Sequence, residues 1–173
     1  TANSMLPSMY KIASSGFEIA TTYDFLNKGF ARAAQLGVQK VVFGSGGARS
    51  TPKGVDQKEG YQRVVNFLNE AAKIAKKYNI NIVIEPLSPF ECNLINTVAQ
   101  SAKLAADCGA DNVFALSDFF HMKHSRDKID NIYEISGKIA HSHISNPTTR
   151  MFPKHAKEAY YRAYLDALSN ACC

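Results

Sequence analysis

Three short apolar segments each run into residues that favour divalent metals. Ile82-Val83-Ile84 leads into Glu85, Val113-Phe114-Ala115-Leu116 into Asp118, and Ile139-Ala140 into His141 and His143. Each segment reads as a buried strand, and helix-like stretches separate them. In a parallel α/β sheet the carboxyl ends of the strands share one rim, where ligands bind. A Glu, an Asp and a His gathered there make a mixed oxygen and nitrogen site for a hard or borderline metal.

Each position also has a plainer reading. Glu85, followed by Pro86-Leu87, can bind a metal or act as a base on a carbon acid; it can equally cap a helix or pair with a lysine. Asp118 and His121, three apart just past a strand, can face one cavity, or merely start a turn and pack against Phe119 and Phe120. His141 and His143 are two apart, so in a regular strand both imidazoles point inward or both outward. Inward, they suggest a metal ligand and a supporting partner. The turn Gly44-Ser45-Gly46-Gly47-Ala48-Arg49 could let backbone amides approach a phosphate or polyol, with Arg49 assisting. It lacks the Walker lysine and the dinucleotide spacing, so a tight strand-to-loop turn is the simpler expectation.

Positioning these residues falls to a repeated strand, loop and helix. Lys40–Phe43 is a first strand. From Gln57 to Tyr78, Val64, Phe67, Leu68, Ala71, Ala72 and Ala75 recur at helical spacing, and Asn79 ends that helix before the strand Ile80–Ile84. Asn96 or Thr97 caps the next helix and Gly109 stops it. Asn112–Leu116 is the third strand. Ile129, Ile132 and Ile135 mark a helix ended by Gly137, before the strand Lys138–Ile144. A last helix runs from about Lys154 to Ser169, and Phe25 to Leu36 makes a first one, ending at Gly37. Alternation of this kind implies parallel pairing and right-handed crossovers. Ligand-type residues on successive strands favour a barrel over an open sheet, whose site gathers at one switch point. A full eightfold barrel takes ~250 residues. Four strands, with the tail of a fifth near Asn3–Leu6, predict a single α/β domain over residues 1–173: a partial (β/α)8 TIM barrel of four to five parallel strands with outer helices.

Composition narrows the function. The 173 residues, 46% hydrophobic and 20% charged, suit one soluble core. No apolar run approaches the ~20 residues of a membrane span, and no leader-like segment supports secretion. Cys92, Cys108, Cys172 and Cys173 lack metal-type spacing and read as free thiols of a reducing cytoplasm. A charge of +5 permits contact with phosphates. The basic residues are nevertheless scattered, apart from Lys73, Lys76 and Lys77, which suit a solvated helix face. Nucleic acid is therefore not the expected partner.

Taken in order, Val42-Phe43-Gly44-Ser45-Gly46-Gly47-Ala48-Arg49, Ile84-Glu85-Pro86-Leu87, Asp118-Phe119-Phe120-His121-Met122 and His141-Ser142-His143 resemble the sugar phosphate isomerase/epimerase family. These are the xylose isomerase-like barrels that include the ketose 3-epimerases. The resemblance spans nearly the whole chain and implies a divalent metal (Mn²⁺, Mg²⁺ or Co²⁺) held by Glu, Asp, His and a second Glu. Glu85, Asp118 and His143 match the first three ligands. His121 matches a histidine that contacts substrate oxygen, and Glu91 a substrate-contacting glutamate. Arg150 resembles the arginine that follows the HxH strand, with a spacing one residue longer here.

The implied substrate is a small sugar or sugar phosphate. The implied reaction is isomerisation or epimerisation through an enediolate, with Glu85 as one of two proton-moving carboxylates. The family's second carboxylate follows the final helix, where Cys172-Cys173 ends this sequence. The resemblance thus predicts a barrel truncated at both ends, whose exposed strand edges invite a homo-oligomer. Two alternatives stay open: a metal-dependent endonuclease at abasic DNA sites, whose fold is shared, and a non-catalytic barrel remnant.

Overall fold

A computed structural model describes residues 1–171; Cys172 and Cys173 fall outside them. Among these residues four parallel strands form one sheet: β1 (Lys40–Phe43), β2 (Asn81–Ile84), β3 (Val113–Asp118) and β4 (Ile139–His143). They lie side by side in chain order, with every neighbouring pair parallel. Sequential order without a switch point is the order of a barrel wall. The expected fifth strand near Asn3–Leu6 is reduced to one parallel bridge between Ala2 and Val41. Two hydrogen bonds make it, at 2.9 and 2.8 Å.

Among the described residues seven helices flank the strands: α1 (Ala20–Gln35), α2 (Gly46–Arg49), α3 (Gln57–Lys76), α4 (Val98–Asp107), α5 (Phe119–His124), α6 (Asn131–Glu134) and α7 (Tyr161–Ala171). The ends follow local chemistry. Asp56 caps α3 by accepting from the Lys58 and Glu59 amides, and Thr97 with Gln100 forms a reciprocal capping box on α4. Lys73 and Lys76 pair with Glu70 and Asp111 on an exposed face, as expected of solvated charges. Two helices depart from expectation. The helix marked by Ile129, Ile132 and Ile135 shortens to the single turn α6, with the unforeseen α5 ahead of it, and α7 begins at Tyr161 rather than near Lys154. No helix among the described residues is long and apolar enough to cross a membrane.

The main core lies between the sheet's outer face and the long helices, with Val41, Phe43, Ile82 and Ile84 meeting Phe67, Leu68, Ala71 and Leu104. A second cluster joins Ala115 and Ile139 to Phe119, Ile132 and Tyr164. The inner face carries a small third cluster of Val42, Val83 and Leu116, with Phe114 and Ala140 against it. Residues two further along β1, β2 and β3 from Val42, Val83 and Leu116 are Gly44, Glu85 and Asp118. Strand periodicity therefore directs the carboxylates to the same inner face, at its carboxyl rim.

Candidate metal centre

β4 reaches that rim by a break in regular pairing. Ala115 pairs with Ile139, but Leu116 pairs with His141 and Asp118 with His143, so β4 carries one extra residue at this point. Ile139 faces the outer cluster while Ala140 meets the inner one. Uninterrupted alternation would place His141 and His143 on the Ile139 side, away from the carboxylates. The bulge re-aims both imidazoles.

Glu85, Asp118 and His143 then offer donor atoms that all lie within 4.8 Å of one another. His143 Nδ1 is 2.7 Å from Glu85 Oε1 and 3.4 Å from Asp118 Oδ2. Donors bound to one ion at 2.0–2.2 Å stand about 3 Å apart when adjacent, so the spacing suits a shared cation. The donor set suits Mn²⁺, Mg²⁺, Co²⁺ or Zn²⁺ chemically. Gly44 makes room for it: a Cβ there would collide with Glu85 Oε2.

Asp118 has two tasks. Its Oδ1 caps α5 by accepting from the His121 amide at 2.9 Å, which leaves Oδ2 turned to His143. Burial works to raise the Asp118 pKa, but the hydrogen bonds from His143 and from the His121 amide outweigh it and hold the carboxyl below its usual range. His143 responds in the opposite sense. Hydrogen bonds to Asp118 and Glu85 outweigh its desolvation and raise its pKa from 6.5 to about 9. A proton on that imidazole supplies the positive charge the two acids require. Its Nε2 is buried without a hydrogen-bond partner among the described residues. His141 lies edge-on to His143, ring centres 5.2 Å apart, and does not join the donor cluster. Desolvation, and then the charges of His143 and Lys40, lower its pKa.

The other three expected residues meet beside this cluster. His121 is fully buried, and its Nδ1 accepts from the Ser88 amide at 3.1 Å. An amide can only donate, so Nδ1 is the unprotonated nitrogen and Nε2 carries the hydrogen in the neutral ring. Desolvation lowers the His121 pKa against the pull of Asp118, Glu85 and Glu91. Its Nε2 stands 3.2 Å from a terminal nitrogen of Arg150, two donors open to a common acceptor rather than bonded to each other. The other terminal nitrogen of Arg150 donates to Glu91 at 2.7 Å. The Arg150 guanidinium also covers the Phe120 ring at 4.7 Å.

Of the two readings of the glycine-rich turn, the structure fits the simpler one, a tight turn after the strand. Arg49 does not face a phosphate or polyol; it is buried, bonded to the carbonyls of Phe43 and Glu85. The turn folds as one helical turn, α2, which carries the guanidinium to the ring of Phe43, a residue of the main core. Sequence reasoning also missed Ser88, whose contribution is a main-chain amide, and Tyr164. The Tyr164 hydroxyl lies 2.9 Å from the Ser117 carbonyl and 3.2 Å from that of His143, tying β3 to β4.

Comparison with known proteins agrees with this architecture. The xylose isomerase-like TIM barrel family model matches residues 4–168. The L-ribulose 3-epimerase of Mesorhizobium japonicum is 30% identical over 134 residues, 77% of this chain and 43% of that protein. The D-psicose 3-epimerase of Agrobacterium fabrum is 32% identical over 98 residues, 56% of this chain and 34% of that protein. A crystal structure of D-psicose 3-epimerase in the presence of D-fructose superposes with a TM-score of 0.86 at 23% identity, covering 98% of this chain and 60% of that one. The matches thus span less than half the length of these curated relatives. A family match over nearly all of the sequence, with the strand order and inner-face arrangement described above, assigns the chain to the xylose isomerase-like TIM barrel family.

Proposed function

We propose that this chain forms the metal-binding part of a sugar isomerase or epimerase, with Glu85, Asp118 and His143 as ligands to one divalent cation. The observation that carries the proposal is the convergence of these three side chains from the carboxyl ends of three strands, within 4.8 Å. When bound, Mn²⁺, Mg²⁺ or Co²⁺ would polarise a substrate carbonyl and its neighbouring hydroxyl, making the adjacent C–H acidic.

The remaining steps belong to the chain's own groups. Glu85 takes the proton from the carbon beside the carbonyl, since its carboxylate is at the rim and partly open, with 11% of the side chain exposed. His121 presents Nε2–H as a donor to a substrate oxygen, its tautomer fixed by the Ser88 amide. Arg150 donates alongside it, and Glu91 accepts from a substrate hydroxyl. Two donors and an acceptor in a row fit a polyol chain. The relatives' substrates, L-ribulose and D-psicose by their names, support a ketose.

The test is Mn²⁺ titration followed by incubation with ketoses in D₂O. Deuterium entering the carbon next to the carbonyl, with loss of both exchange and metal binding in D118N, is the expected result. Metal binding unaffected in E85Q, D118N and H143Q would refute the ligand set. Nicking of an abasic DNA duplex without exchange on any sugar would replace this reading with the endonuclease.

A further inference from the structure

The glycine-rich turn after β1 ends in a residue that the proposed chemistry does not use. Arg49 is fully buried. A guanidinium is permanently charged and planar, and burying one is unfavourable unless its donors are met. Here Nη1 donates to the Phe43 carbonyl at 2.7 Å and Nη2 to the Glu85 carbonyl at 2.5 Å. The group also lies 5.3 Å from the centre of the Phe43 ring. Its Nε has no hydrogen-bond partner among the described residues.

An aliphatic side chain would fill this space at lower cost. What it could not do is hold two carbonyls at a fixed angle. Those carbonyls belong to the last residue of β1 and to the residue just past β2. The Phe43 carbonyl also accepts from the Glu85 amide at 3.2 Å. Arg49 and Glu85 are therefore locked together through the end of β1. We propose that Arg49 is a positioning residue: its planar fork fixes the Glu85 main chain, and so the direction in which the Glu85 carboxylate enters the donor cluster. The proposal rests on the reading of Glu85 as a metal ligand.

R49M and R49K are compared with L26A, which perturbs the buried face of α1 away from the rim. Amide hydrogen exchange at Glu85 and Mn²⁺ affinity are measured under conditions where circular dichroism shows each variant folded. R49M should lose protection at Glu85 selectively and bind Mn²⁺ roughly ten- to a hundredfold more weakly, as loss of a ligand-supporting contact does. R49K should fall between it and the parent, while L26A lowers Tm and leaves both readouts unchanged. Should R49M not fold, R49K decides by the same two measurements. Glu85 protection or Mn²⁺ affinity equal to the parent's would overturn the proposal. A parent chain that takes up no Mn²⁺ overturns the metal reading instead, and the exchange data still decide whether Arg49 holds Glu85.

Discussion

Metal binding to this chain should be controlled by one proton, on His143. Without a cation the imidazole carries that proton between Asp118 and Glu85, with a pKa of about 9 against an ordinary 6.5. A cation must displace it, because a ligating histidine is neutral. Asp118, held below the usual carboxylate range, releases none at neutral pH. The apparent affinity at pH 7 should then sit roughly a hundredfold below its high-pH plateau, rising about tenfold per pH unit until near pH 9. An unperturbed histidine would level off near pH 7. Calorimetric titration with Mn²⁺ at pH 8, in two buffers of different ionisation enthalpy, counts the protons directly. About 0.9 proton should leave per ion, where an ordinary histidine would release about 0.03. Proton release near zero at pH 8, or an affinity flat from pH 7 to 8.5, would refute the placement of His143 between the two acids.

The same proton governs the metal-free fold. A raised folded-state pKa gives stability that is complete below 6.5 and lost as pH climbs through about 9, so Tm with chelator present should fall over that window, and less in H143Q. G44A should fold but bind Mn²⁺ at least about tenfold more weakly, since the added methyl displaces the Glu85 carboxylate; isothermal titration checks this. E85Q should abolish deuterium exchange into a ketose, read by proton NMR, because the amide cannot accept the carbon-bound proton. Y164F removes a buried hydroxyl shared between β3 and β4 and should cost about 1–2 kcal/mol in urea unfolding.

The sequence by itself determined which residues stand at strand ends, because a strand followed by a charged residue is a local pattern. Burial of Ile82, Val83 and Ile84 before Glu85 needs only an apolar run, and the caps at Thr97 and Gly109 need only their immediate neighbours. The choice of residue types likewise showed that a Glu, an Asp and a His could share a cation. The direction of β4 was beyond its reach. Whether His141 and His143 face the carboxylates depends on a bulge that exists only in the pairing of β4 with β3. Arg49 shows the same limit: the sequence offers it as an anion ligand or as part of a plain turn, and only the tertiary placement of α2 turns it onto two carbonyls. Register and burial are properties of pairs of elements, set by what each strand meets, and no single stretch of residues encodes them.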